Sequence, residues 1–398
     1  MLVQFMIKNV LSFKEETIFD MTAINAYKEH TSNLIDIGYK NKFLKVAAIY
    51  GANASGKSNL YHAMNIFQQI VMRSMNSYDA WQANVIEEFY VPFSFEKNKE
   101  NSEFQIVEIL DGYEYIYGFE YNNVSIVAEW LYRVNLKTNR RTKILERTIN
   151  DVSFGISVRS ECAAFEKQIP QETLALSFLS KLPNLKTEVF KNMYKGIMDT
   201  LVVDTKFGED NGILVDFLPT IIDDYKIKLL EFLRAIDTGI KDIIYDKNEN
   251  EIKFITYHAG IDGEMYPLNL YNESEGTIKS IILFIFARMA VLNNKSIFVD
   301  ELNIKLHPLL LKFIIDLFYE EKSEAQLIYT THDTTLLDKK FFRRDQIWFV
   351  QKNEFGYSKL IALYDYKVRS DASFEKDYLA GVYGGIPFLK DFKMKDGD

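Results

Sequence analysis

The run Gly51-Ala-Asn-Ala-Ser-Gly56-Lys57-Ser58 constrains this chain more than any other feature, because it matches G-x-x-x-x-G-K-[ST] in full. An apolar stretch, KVAAIY, leads straight into it. A helical pattern follows, in which Leu60, Met64, Phe67 and Val71 step by three or four residues and Ile66 and Ile70 widen the stripe. The segment therefore predicts a buried strand, a glycine turn and a helix. Gly51 and Gly56 permit backbone angles that curl the intervening amides around an anion. Ala52, Asn53, Ala54 and Ser55 supply those amides, and the helix opening at Lys57, Ser58 and Asn59 points its positive end at the same place. Lys57 would reach β- and γ-phosphates and Ser58 would ligate Mg²⁺. The expectation is a site for a nucleoside triphosphate, with ATP and Mg²⁺ as cofactors.

A site of this kind needs a carboxylate to complete the metal position, and Ser296-Ile-Phe-Val-Asp300-Glu301 offers an apolar strand ending in two acids. Buried strands of such sheets end at the ligand edge, so Asp300 is expected beside Ser58, holding Mg²⁺, with Glu301 placed to deprotonate the attacking water. One strand further along the chain, QLIYTTHD ends in a polar cluster that carries His332, an imidazole suited to contact a γ-phosphate. At Asn272-Glu-Ser274-Glu-Gly276-Thr277 a polar turn opens an apolar helix. Ser274 is a good N-cap, and the free amides of a helix start together with its hydroxyl make an anion site.

Between these motifs the pattern changes three times. Residues 1–87 carry the first strands, the glycine loop and its helix. Residues 88–158 hold short aromatic and β-branched runs separated by Asp111-Gly112 and Asn122-Asn123, which predicts an antiparallel sheet. Residues 159–240 read as helical. Residues 241–398 open with a hairpin over Lys241 to Tyr257 and then alternate strand and helix, which predicts a largely parallel sheet covered by helices. The tail Lys390 to Asp398 alternates in charge and is expected to fray. The fold class is α/β, with one domain started and finished by the two ends of the chain and compact lobes inserted between. Only seven prolines occur in 398 residues, which argues for insertions over linkers.

Composition removes several alternatives. With 47% hydrophobic residues, including 30 Phe and 24 Tyr, the chain can build a core. A single cysteine, Cys162, excludes a disulfide framework and a cysteine-cluster zinc site, and suits a reducing cytoplasm. No apolar run approaches the ~20 residues of a membrane span, so no membrane partner is expected. The formal charge of −9 places nucleic acid behind proteins as a partner, although Lys137, Arg140, Arg141 and Lys143 cluster at one turn that could meet phosphate.

The order of glycine loop, Ser-x-Gly helix start, Asp-Glu and His resembles the ABC-type ATPase head of the SMC, RecF and overcoming-lysogenisation-defect proteins. IKNVLSFKEE, GANASGKSNL, NESEGTIK, VDELNIKLHPLLL, LIYTTHDTTLLD and RRDQIWFVQK…YLAGVYGGIPFL resemble more closely the bacterial ATPases of abortive-infection and anti-phage defence loci, including retron-linked and AbiL-type ATPases. The resemblance implies a head formed by residues 1–87 and 241–398, with an antiparallel β insertion at 88–158 and a helical lobe at 159–240. It implies that Gly51, Gly56, Lys57 and Ser58 bind phosphate and metal, that Asp300 supports the metal, that Glu301 is the catalytic base and that His332 is the switch histidine. It further implies that Ser274 and Gly276 act in trans on nucleotide bound to a second subunit, making a homodimer or higher oligomer of ATP-sandwiched heads.

Two positions depart from the family pattern. Leu-Ser-Gly-Gly becomes Glu273-Ser274-Glu275-Gly276, and the acid often found two residues past the catalytic Glu is Asn303. The glutamine-bearing loop of ABC heads has no clear counterpart, Gln105 falling on a predicted strand; Phe13 is a candidate base-stacking residue set against a core role. No sustained heptad lies between Ser58 and Ser274, and the stretch after His332 is too short for a fused nuclease, so an effector (nuclease or toxin) is expected on a separate chain. The functional expectation is an ATP-hydrolysing switch that controls such an effector in defence; the rival is a RecF-like DNA-binding ATPase.

Overall fold

The computed structural model describes residues 1–75, 84–204, 212–248, 251–303, 307–320, 322–366, 368 and 372–386; the tail Lys390 to Asp398 lies outside them. The chain begins with β1 (Leu2–Lys8) and β2 (Thr17–Asp20), a small ribbon β3 (Leu34–Ile35) and β4 (Phe43–Leu44), then β5 (Val46–Gly51), α1 (Lys57–Arg73) and α2 (Val85–Glu88). A meander follows: β6 (Ser102–Leu110), β7 (Tyr113–Tyr121), β8 (Ile126–Asn135), β9 (Arg141–Thr148) and β10 (Val152–Phe154). Next come α3 (Ile156–Cys162), α4 (Ala175–Ser180), α5 (Val189–Asp199), β11 (Leu201–Asp204) and α6 (Gly212–Ala235). The hairpin β12 (Ile240–Lys247) and β13 (Ile252–Ala259) gains a third strand, β14 (Met265–Asn269). The chain closes with α7 (Glu275–Asn293), β15 (Ser296–Asp300), α8 (Pro308–Glu320), β16 (Gln326–Thr331), β17 (Ile347–Lys352), β18 (Ser358–Ala362) and α9 (Phe374–Leu379).

Two large sheets organise these elements. The first runs β10-β9-β8-β7-β6-β1-β2 and is antiparallel throughout. Its β6–β7 turn places Asp111 at φ 49° and Gly112 at φ 78°, the left-handed pair that a two-residue hairpin of matching twist requires. The second sheet runs β11-β15-β16-β5-β17-β18, parallel except for β18 at its edge. Its strands β5, β15 and β16 are buried at every position, as a sheet covered on both faces demands.

The two ends of the chain meet in the parallel sheet, where β5 lies between the late strands β16 and β17, while β1 carries the meander in the antiparallel one. The helical pattern over 159–240 hides one strand, β11, which adds to the second sheet beside β15. Helix α1 lies between the sheets. Its Leu60, Met64, Phe67, Ile70 and Val71 are buried in one core with Phe5, Phe104 and Phe119; Phe67 stacks on Phe119 with centroids 5.7 Å apart. A second core packs α6, α7, α8 and α9 on the other face of the parallel sheet.

Polar cross-links tie the layers. Gln326 on β16 is wholly buried: its Oε1 accepts from Leu2 N (2.8 Å) and Ser296 Oγ (2.8 Å), and its Nε2 donates to the carbonyls of Leu2 (3.0 Å) and Leu44 (3.1 Å). Arg343, also wholly buried, pairs with Asp345 (Nη2 to Oδ2, 2.7 Å) and donates to the carbonyls of Ile24, Tyr27 and Glu29.

Glu108 is a weaker joint. It lies on β6 against Gly196 of α5, and its Oε2 is buried without a hydrogen-bond partner. Burial pushes its carboxyl up to about 7 from an ordinary 4.5. A carboxyl raised in the fold favours the protonated form, so the cost of ionising it is absent below about pH 4.5, grows as pH rises and is complete above about pH 7. Glu108→Gln should therefore stabilise the chain by ~2–3 kcal/mol at pH 8 and by almost nothing at pH 4.5, read by urea unfolding at both. An equal difference at the two pH values would count against this origin.

Candidate functional site

The parallel sheet gathers its polar strand ends at one edge. β5 ends in Gly51, residues 52–56 turn, and α1 begins at Lys57. Ala54 at φ 61° and Gly56 at φ 111° are both left-handed, the alternation that turns successive amides into one concavity. Neither glycine tolerates a side chain. A Cβ at Gly51 would lie 2.6 Å from Ser55 Oγ and 2.7 Å from the Val350 carbonyl oxygen, and one at Gly56 would run into Ser358 Oγ.

The loop is braced from outside by residues that its motif does not include. Ser358 Oγ donates to the Ser55 carbonyl (2.6 Å) and shares a hydrogen bond with Ser12 Oγ (2.8 Å). Ser12 Oγ accepts from Asn59 Nδ2 (2.7 Å), and Ser358 N donates to the Ser12 carbonyl (2.7 Å). Ser12 sits near β1 and Ser358 opens β18, so chain positions more than three hundred residues apart fix the loop. No local signal in the sequence marks either.

Two features test whether a phosphate suits the loop. Ser55 Oγ is buried and has no hydrogen-bond partner, an unsatisfied hydroxyl inside the turn. Lys57 is buried, its Nζ donating to the carbonyls of Gly51 (2.7 Å) and Ala52 (3.0 Å). Burial pulls the Lys57 ammonium below its usual range, and the charges of Glu301 and then Asp300 oppose that shift. A desolvated cation, a spare hydroxyl and convergent amides are the donor set a triphosphate needs.

Asp300, at the end of β15, is 9% exposed; its Oδ1 accepts from Thr330 Oγ1 (2.5 Å). The same Thr330 oxygen accepts from Glu301 N (2.8 Å), so one hydroxyl holds the Asp300 carboxylate and the backbone of Glu301. Glu301 has φ 49°, which turns the chain off the strand line immediately after Asp300. In chain order the strand of His332 comes after the Asp-Glu strand, but in the sheet β16 lies between β15 and β5. Asp300 therefore faces the glycine loop across β16, and the cluster Thr330-Thr331-His332 occupies the gap. Beyond it, Thr331 Oγ1 donates to Asn303 Oδ1 (2.9 Å), and Asn303 Nδ2 stands 3.3 Å from His332 Nε2.

Ser274 and Gly276 lie elsewhere, at the start of α7. Ser274 caps the helix, its Oγ accepting from Thr277 N (3.1 Å), and the Gly276 carbonyl accepts from Ser280 Oγ (2.6 Å). Glu273 is pinned from behind by Thr256 Oγ1 (2.5 Å) and His258 Nε2 (2.8 Å) of β13. Among the described residues, no hydrogen bond joins Ser274 or Gly276 to the glycine loop, and Ser274 is exposed. Phe13 is wholly buried in the first core, which removes it as a base-stacking residue. Gln105 lies on β6, accepting from Trp130 Nε1 (3.0 Å). In the basic turn, Arg141 stacks over Tyr132 (3.9 Å), and Lys143 reaches Glu146 and Ser153 (3.1 Å each), leaving Lys137 and Arg140 exposed.

A strand ending in a glycine loop, a helix springing from it and acids on a parallel strand of the same sheet define a P-loop domain. The chain belongs to the family described as "AAA domain, putative AbiEii toxin, Type IV TA system", whose profile matches residues 46–338. Among solved structures it is similar to an SMC head bound to the C-terminal winged-helix domain of ScpA, at 16% identity and TM-score 0.43, covering 94% of this chain and 99% of that one. It is also similar to the SMC head domain from Thermotoga maritima, at 13% identity and TM-score 0.41, covering 91% and 98%. No curated protein sequence matches it. Among the described residues no helix is long and apolar enough to cross a membrane.

Proposed function

We propose that this protein is an ATP-binding and ATP-hydrolysing switch of the ABC type, in which ATP closes a head-to-head dimer that governs a separately encoded effector in anti-phage defence. The observation that carries the ATPase part is the convergence of Lys57 and the Asp300–Thr330–Glu301 hydrogen-bond chain on one sheet edge. Lys57 and the amides of residues 52–56 hold the phosphates, and Ser55 donates its spare hydroxyl. Ser58 and Asp300 would hold Mg²⁺, which when bound neutralises charge on the phosphates. Glu301 takes a proton from the attacking water, and Thr330 holds its backbone next to Asp300. Ser274, exposed, and Gly276, half-buried, open a helix that among the described residues makes no hydrogen bond to the chain's own loop, and they would complete the site of a second copy. Two of the four cations in the basic turn are engaged within the chain, which favours protein partners over nucleic acid.

A mixing experiment tests the composite site. Ser274→Arg and Lys57→Ala chains, each inactive alone, should together regain roughly a quarter of wild-type turnover at equal ratio, since statistical pairing leaves one intact site in half of the dimers. No recovery at any ratio would count against action in trans.

A further inference from the structure

Asn303 and His332 are joined by a hydrogen-bond chain whose polarity can be followed from one end. Asp333 N is a backbone donor, and it donates to Thr331 Oγ1 (3.0 Å). The amide atom that the hydroxyl meets at 2.9 Å is the oxygen, Oδ1, which can only accept, so Thr331 gives its own proton to Asn303. The carboxamide is thus fixed with its NH₂ toward His332, 3.3 Å from Nε2. An NH₂ group can only donate, so Nε2 must be the lone-pair nitrogen of a neutral imidazole, and the ring proton is on Nδ1. Among the described residues Nδ1 meets no hydrogen-bond partner, and the ring is exposed.

We infer that Asn303 is a positioning residue that fixes the tautomer of His332, so that the ring offers Nδ1–H as its single donor to an anionic group arriving at the sheet edge. This rests on the ATPase reading for the identity of that anion, the terminal phosphate of ATP. It gives a chemical reason for an amide at position 303. A carboxylate there would still accept from Thr331, but its second oxygen would also be an acceptor. It would demand Nε2–H, which in the neutral ring turns Nδ1 into a lone pair that faces the phosphate with the wrong polarity. Asn303 also follows Glu301 by two residues, so the same short turn carries the base and the group that sets the histidine.

The test uses the full chain labelled with ¹⁵N-histidine and free of nucleotide, with His332→Gln identifying the signal among five histidines. Long-range ¹H–¹⁵N correlation should show His332 in the Nδ1–H form. Asn303→Asp should move it to Nε2–H, and Asn303→Leu should remove the bias. A wild-type ring in the Nε2–H form, or an unchanged tautomer in Asn303→Leu, overturns the inference. Titration calorimetry gives the second readout: Asn303→Asp should weaken ATP about tenfold while ADP, which lacks the contacted phosphate, binds as before. Equal weakening of both nucleotides would also overturn it. Failure of the wild type to bind ATP at all would sink the ATPase reading and leave the tautomer result standing.

Discussion

Glu301→Gln should lower ATP turnover by roughly 10²- to 10⁴-fold while leaving ATP bound, the range that loss of a positioned general base removes. The substitution is nearly isosteric and leaves the backbone donor untouched. Glu301 N would still reach Thr330 Oγ1, Thr330 would still orient Asp300, and the left-handed turn at residue 301 would persist. Lys57, the loop amides and Ser55 are unaltered, so affinity for ATP should change little. With hydrolysis blocked and ATP retained, a species of twice the monomer mass should accumulate on size exclusion with ATP and Mg²⁺, and not with ADP. Thr330→Val is the informative companion. It removes the hydroxyl that serves both acids, so it should damage turnover and metal dependence together, whereas Glu301→Gln damages turnover alone. Wild-type turnover in Glu301→Gln would sink the assignment of the base, and dimers that ignore nucleotide would sink the switch.

How much of this was legible in the sequence depended on the range of the interaction. The α1 stripe, the Asp111-Gly112 hairpin and the buried strands are encoded by period and by turn chemistry, which act over a few residues. The glycine loop was legible because its two glycines and its lysine act within one turn. The crossing order of the parallel sheet was not: chain order places β16 after β15, and only packing places it between β15 and β5. β11 was lost because four residues between two helices carry too little pattern to outweigh their surroundings. Ser12 and Ser358 are single hydroxyls whose roles exist only once β1 and β18 are brought to the loop. Asn303 was visible as a departure from a family pattern, but its chemistry came from two threonine-borne contacts that no spacing announces.

Lys57→Met should abolish ATP binding, by at least about a hundredfold in affinity, and yet leave the nucleotide-free chain as stable as wild type or more so. The two halves of this prediction have one cause. The Lys57 ammonium is buried, and its hydration is replaced by the two loop carbonyls of Gly51 and Ala52 and by the charges of Glu301 and Asp300. Burial is the largest influence on this group and it acts against the charged form. The fold therefore holds a cation at a cost, which the triphosphate of the proposed function would offset. Methionine keeps the aliphatic stem and its packing against the loop while removing the charge. Differential scanning calorimetry without nucleotide should show a midpoint unchanged or raised by up to ~3 °C, and the upward shift that ATP gives the wild type should vanish. A large destabilisation without nucleotide would mean that the ammonium is a structural clamp for the loop carbonyls, and retention of the ATP-induced shift would remove Lys57 from the phosphate site. Lys57→Arg separates charge from shape: it restores the cation but not the compact geometry, so it should lose nucleotide affinity and, with a bulkier group in a buried niche, also lose stability.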